Sequence, residues 1–265
     1  NVFFSWMKEI EPWCISRQII WGHQLPVWYG PDKKIFVAKN EKEALKLANS
    51  FYKEKVFLNQ ETDVLDTWFS SALWPMATLG WPKNNIFLRK YFPTNVLVTG
   101  FDIIFFWVAR MIMQASHFKN MTPFKAVYIH ALVRDKKGQK MSKSKGNVID
   151  PLELINFYGA DPLRYTLTSL AVQGRDIKLS EADVKNSRNF LTKIWNSFKF
   201  LEENKCLKKS CKYNLNLKLS INVWLVSSFN DFVKSVDKNI NNFRFNDVAK
   251  EIYKFTKNIF CDWYL

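Results

Sequence analysis

Lys140 to Asn147 reads KMSKSKGN: three lysines, two serines and a glycine in eight residues, with Lys136 and Lys137 just upstream. Such a stretch is too polar for a core. On composition alone it reads as a solvated basic loop, as a weak nucleic-acid patch, or as a loop that holds a phosphate chain. Lysine is a compact charge on a flexible stem, suited to following a triphosphate whose charge moves as a bond breaks. At about 4 Å from a phosphate oxygen and an effective dielectric of about 20, one lysine contributes about 4 kcal/mol. If the contact tightens in the transition state, that is roughly a several-hundredfold gain in rate. Gly-x-x-x-x-Gly-Lys is absent, so cations rather than a Walker backbone cradle would do the binding.

The elements that position the loop follow from periodicity. NVLVTG (95–100) is a β-branched run ending at Gly100, and FDIIFFWVARMIMQASHF continues as a helix apolar on nearly all sides. A second strand, KAVYIHALV (125–133), delivers the chain to the lysine loop. Strand, helix and strand at this spacing predict parallel pairing through a crossover, with ligands beyond the carboxyl ends of the strands. Upstream, 13–29 is aromatic-rich and extended, broken by Gly22 and Pro26, and GWPKN marks a turn. Asn40-x-x-Glu43 opens a short helix with Ala44, Leu45, Leu47, Ala48 and Phe51 on its apolar face. Asp150-Pro151 and Asp161-Pro162 each read as a capped helix start, and Ser180-x-x-Asp183 as a third. From there three apolar stripes, beginning at Phe190, Ile221 and Phe245, predict helices to the end. The expected fold class is therefore α/β, a Rossmann-like parallel sheet over 1–180, followed by an all-α helical bundle over 181–265.

Composition bounds the partners. The net charge of +15 and pI near 9.6 favour a polyanion, although a chain rich in Lys, Asn, Ile and Phe everywhere carries charge without one. Cys14, Cys206, Cys211 and Cys261 show no Cys-x-x-Cys and no nearby histidine, which predicts free thiols in a reducing cytoplasm and no metal. The most apolar stretch is interrupted by Gly100, Asp102 and Arg110, so a buried helix is expected rather than a membrane span. The chain opens on Asn and stops at CDWYL inside an apolar pattern, which reads as two cuts and an incomplete bundle.

Lys140-Met141-Ser142-Lys143-Ser144 is identical to the KMSKS signature of class I aminoacyl-tRNA synthetases. The surrounding HALVRDKKGQKMSKSKGNVIDPLELINFYGADPLRYTLTSLAVQGRDIKLSE resembles the valyl-tRNA synthetases. So do WCISRQIIWGHQLPVWY, DVLDTWFSSALWPMATLGWP and LVTGFDIIFFWVARMIMQASHF. Isoleucyl relatives typically have Val and Asp where this chain has Thr67 and Ser70.

The resemblance implies a role for each matching position. Lys140 and Lys143 would be catalytic, steadying the β- and γ-phosphates of ATP, with Met141, Ser142 and Ser144 completing the nucleotide loop. Gly100 and Asp102 match a Gly-x-Asp turn at the adenylate ribose, where Asp102 could equally serve the helix dipole. His130 matches the adenine pocket, a core histidine being the alternative. Trp68 and Trp107 match walls of the valine pocket. Size alone rejects an isostere poorly, and the family adds a separate editing domain. That domain and a His-x-Gly-His motif are missing here, so this chain alone is expected not to form valyl-adenylate. In a full-length parent the implied function is valine–tRNA ligase, with ATP and magnesium, valine and tRNA(Val) as partners. The parent is expected to be monomeric, cytoplasmic and free of the membrane. The alternatives are an isoleucyl or leucyl relative, or a non-catalytic tRNA-binding remnant.

Overall fold

The structure, a computed structural model, describes residues 2–206 and 218–265, with the backbone alone for Val2 and Lys143. It divides into two compact units, Asn1–Val127 and Tyr128–Leu265. Cys211 lies outside the described residues, and Cys14, Cys206 and Cys261 are free thiols.

In the first unit, α1 (Val2–Lys8) leads to the short strands β1 (Ser16–Arg17), β2 (Val27–Tyr29) and β3 (Ile35–Val37). Next come α2 (Glu41–Tyr52), β4 (Asn59–Gln60), β5 (Val64–Leu65), α3 (Thr67–Ser71), α4 (Trp74–Ala77) and α5 (Ile86–Tyr91). β1 pairs antiparallel with β5, and β2 pairs antiparallel with both β3 and β4. Helix α2 starts as expected, with the Asn40 side chain accepting from the Glu43 N–H at 3.0 Å. It buries Ala44 and Ala48, while Leu47 and Phe51, expected on the same face, stay exposed.

β6 (Thr94–Gly100) lies beside β7 (Phe124–His130), with α6 (Ala109–Lys119) between them in sequence. The expected single helix after Gly100 is three geometries in succession: a 3-10 turn, Phe101–Ile103, a wide π turn, Ile104–Val108, and α6 itself. Apolar residues on every side left its period unreadable. Met76 and Met111 are fully buried in this unit, each contributing about 2 kcal/mol by area removed from water.

In the second unit, β8 (Val133–Arg134) precedes α7 (Pro151–Tyr158) and α8 (Ala160–Leu170), and pairs parallel with β9 (Ile177–Lys178). Asp150 caps α7 as predicted, accepting from the Leu152 N–H at 2.8 Å. Asp161 does not cap α8. That helix begins two residues earlier than expected, after Gly159 at φ 94, and Asp161 sits in its first turn. Gly159 makes the break because few other residues adopt that backbone.

A reciprocal capping box of Ser180 and Asp183 opens α9 (Glu181–Glu203). Then follow α10 (Ser220–Asn241), α11 (Phe245–Tyr253) and a wide helical run, Lys254–Tyr264. Tyr165 on α8 donates to the Ala249 carbonyl at 2.9 Å, and Phe190 on α9 packs against Tyr165 and Tyr253 at 5.3 and 4.8 Å. No described helix is long and apolar enough to cross a membrane.

Candidate functional site

Trp68 stands on α3, a helix of five residues that is too short to satisfy its own terminal groups. Asp66 starts it. This carboxylate is buried at 3 % exposure, and Oδ2 accepts from the Phe69 N–H at 3.1 Å and the Trp13 indole at 2.9 Å. Oδ1 pairs with Arg17 at 2.8 Å. At the other end the carbonyls of α3 are met from the segment after Gly100. Trp107 donates to Ser71 at 3.3 Å, and Gln114 donates to Phe69 at 3.1 Å. The Trp68 ring lies against Phe106 at 5.7 Å, and Trp74 meets Trp107 edge-on at 6.0 Å. The two tryptophans expected in an amino-acid pocket, both half-buried, are thus referenced to one short helix.

Arg110 lies over the Trp13 ring at 4.1 Å. Burial lowers its guanidinium below the ordinary value, and the Asp66 charge opposes that shift. Its Nε and the Gln114 Oε1 are buried without a hydrogen-bond partner among the described residues: a donor and an acceptor one helical turn apart. Sequence reasoning missed Asp66, Arg110 and Gln114. The signal for Asp66 was present, since an Asp three residues before an N–H it can reach is an N-cap pattern.

Gly100 is buried at the end of β6 with φ −78 and ψ 156, an extended conformation. Asp102 is exposed in the turn that follows, and its carboxylate makes no hydrogen bond among the described residues. A donor from solvent or ligand is therefore free to approach it.

In the second unit, His130 is exposed at the end of β7, its Nδ1 3.0 Å from the Ala131 carbonyl oxygen, so it is not a core histidine. The lysine segment is a folded loop. Arg134 bridges Lys140 across a turn closed by the Gly138 N–H on the Asp135 carbonyl at 2.8 Å. Gly138 takes φ 80 there, which favours glycine. Lys140 is exposed and without an ion pair among the described residues, and Met141 and Ser142 are half-buried. Ser142 Oγ lies 2.7 Å from Ser144 Oγ. Lys143 belongs to a 3-10 turn, Lys143–Lys145, and its side chain lies outside the described residues. The described residues contain no group of three or more His, Cys, Asp or Glu that could hold a metal ion.

Residues 1–180 match the family described as tRNA synthetases class I (I, L, M and V). The chain belongs to that family. Residues 222–265 match the anticodon-binding domain of tRNA ligase. Among curated relatives of this class I synthetase chain, the valine–tRNA ligase of Pelagibacter ubique is 57% identical over 265 residues. That of Rhodopseudomonas palustris is 53% identical over 284 residues. Each alignment covers 100% of this chain and 30% of the relative, so the chain spans about a third of their length. Solved class I structures share the fold. An Agrobacterium radiobacter LeuRS in a ternary complex with tRNA and LeuAMS superposes with TM-score 0.78 at 17% identity, covering 98% of this chain and 38% of that one. A Mycobacterium tuberculosis methionyl-tRNA synthetase with methionyl-adenylate gives 0.68 at 19%, covering 96% and 45%.

Proposed function

We propose that this segment is the second half of the catalytic domain of a valine–tRNA ligase, residues 1–180, joined to the start of its anticodon-binding domain, residues 181–265. The observation that carries the reading is identity above one half to valine–tRNA ligases along the whole chain. A lysine loop folded on its own hydrogen bonds, with Lys140 unpaired, supports it. In the reaction a valine carboxylate oxygen attacks the α-phosphorus of ATP, the bond to the bridging oxygen breaks, and pyrophosphate leaves with the charge. A terminal ribose hydroxyl of tRNA(Val) then attacks the carbonyl carbon of the adenylate, the bond to the phosphate oxygen breaks, and AMP leaves as the hydroxyl gives up its proton.

Lys140 and Lys143 neutralise the departing pyrophosphate, where charge grows most in the transition state. Met141, Ser142 and Ser144 shape the loop around it. Gly100 closes the strand so that a ribose can approach, and Asp102 accepts its hydroxyl protons. His130 borders the adenine. Trp68 and Trp107 shape the valine pocket. Magnesium would come with the ATP, carried by its phosphates. Residues 181–265 carry 15 Lys and Arg against 9 Asp and Glu, a balance that suits tRNA. Free thiols at Cys14, Cys206 and Cys261 suit a reducing, cytoplasmic compartment.

Amino-acid-dependent ATP–pyrophosphate exchange tests the reading in a full-length synthetase containing this segment. Valine is expected to support exchange in preference to isoleucine, and the reverse preference overturns the assignment. Lys140→Ala should lower the exchange rate by roughly two to three orders of magnitude, with the KM for valine little changed. An unchanged rate would remove Lys140 from the mechanism.

A further inference from the structure

Two residues outside the five-residue lysine signature hold its shape. Asp135 Oδ1 accepts from the Lys137 N–H at 2.9 Å and the Gln139 N–H at 2.8 Å. Its Oδ2 accepts from the Asn147 amide at 2.9 Å, across twelve residues of sequence. The other end of that amide, Oδ1, accepts from the Ser142 N–H at 2.9 Å, and its Nδ2 also reaches the Lys140 carbonyl at 3.3 Å. One carboxamide therefore grips the backbone on both sides of Met141, and one carboxylate anchors the carboxamide. Both side chains are half-buried.

We propose that Asp135 and Asn147 are the positioning pair of the lysine loop, holding the backbone of Lys140 and Ser142 in the shape that receives a polyphosphate before any nucleotide arrives. The proposal rests on the synthetase reading and deepens it. Three points carry it. First, among the described residues the loop's other internal bonds are few and local. On the Gly138 side they are the Gly138 N–H on the Asp135 carbonyl at 2.8 Å and the Asp135 N–H on the Gln139 carbonyl at 3.1 Å. On the other side they are the contact between the two serine hydroxyls and the Lys145 N–H on the Ser142 carbonyl at 3.1 Å. Without the pair, the turn at Gly138 and the turn at Lys143–Lys145 have no other tie given by this geometry. Second, a carboxylate near a phosphate site is ordinarily repulsive. Asp135 is tolerable because three N–H donors from its own loop occupy it, and the Asn147 amide is the largest cause holding its pKa below the ordinary value. Third, the chemistry at position 147 is specific. The residue must accept from Ser142 and donate to Asp135, and serine is too short to do both while aspartate cannot donate.

The polarity of the pair makes the test. Asn147→Asp sets two carboxylates face to face, and Asp135→Asn sets its amide donor against the Asn147 amide or, turned over, against the Lys137 and Gln139 N–H groups. The double variant D135N/N147D restores one donor to one acceptor, with the new amide at position 135 donating to the new carboxylate at position 147. In a full-length synthetase containing this segment, each single variant should lower the turnover of valine-dependent pyrophosphate exchange by roughly tenfold to a hundredfold. The KM for valine should hold, and the double variant should recover most of the loss.

In parallel, hydrogen exchange on ligand-free protein reads the loop directly. The Ser142 amide should lose protection in both single variants and regain it in the double, while amides of α8 stay protected and report an intact fold. Full turnover in both single variants, or protection at Ser142 that ignores them, overturns the proposal. So does a double variant no better than its parents. Failure of the unsubstituted enzyme to exchange pyrophosphate with any amino acid would instead overturn the synthetase reading and take this pair's role with it.

Discussion

Trp107 donates its indole N–H to the carbonyl of Ser71 at 3.3 Å. That bond joins one proposed pocket wall to the last residue of the helix that carries the other, Trp68. A pocket built this way is referenced to a backbone atom rather than to the packing of two loose rings, and its width follows the position of α3.

Trp107→Phe keeps an aromatic wall and deletes the donor. Unfolding should become easier by about 1 kcal/mol, the net value of one hydrogen bond. In a full-length synthetase the KM for valine should rise several-fold while the KM for ATP holds. Denaturant melts and steady-state kinetics check the pair of effects, and a change confined to the ATP constant would separate Trp107 from the pocket.

Asp66 is the more costly position. Asp66→Asn preserves a side chain that can cap α3, yet its single oxygen cannot serve Phe69, Trp13 and Arg17 together. Arg17 is one-third exposed and can turn to water, so the loss should be about 2 kcal/mol rather than the larger cost of stranding a buried charge. Urea unfolding reads the loss, and a change in tryptophan fluorescence should report Trp13 leaving its acceptor. An equally stable Asp66→Asn variant would mean that the carboxylate charge is dispensable.

Tyr165 gives a pH signature. Burial pushes its phenol up to about 12 from an ordinary value of 10.0. The folded protein therefore keeps a proton that the unfolded chain releases, so the contribution is complete below about pH 10 and declines as pH rises to about 12. Tyr165→Phe also removes the bond to the Ala249 carbonyl. The variant should be less stable at neutral pH and should lose less additional stability between about pH 10 and 12. Unfolding followed by circular dichroism along that range distinguishes the two curves.

Local chemistry was the part of this fold most open to reading. Asn40, Asp150 and the Ser180–Asp183 box each satisfy a backbone N–H two or three residues away, so their partners stand beside them in the sequence. Strand 94–100 announced itself by its β-branched run and its glycine. Asp161 misled because the break is set by Gly159, whose positive φ outranks a capping carboxylate two residues later. Asp66 and Trp13 are separated by 53 residues, and Asp135 and Asn147 by 12, with no periodicity to link either pair. The motif marked the lysine loop and the family resemblance proposed both tryptophans, whereas most of the contacts that aim them join residues far apart in the sequence.

The passage from Gly100 to α6 through a 3-10 turn and a π turn sets one further condition. Each added or removed residue there would swing everything downstream around the helix axis by about 100°, carrying Trp107 away from Ser71 and Gln114 away from Phe69 together. Exchange of side chains along Phe101–Val108 is a matter of volume, whereas insertions and deletions would misalign both anchors at once. Substitution can retouch this stretch residue by residue, whereas a change in its length would cost both anchors together.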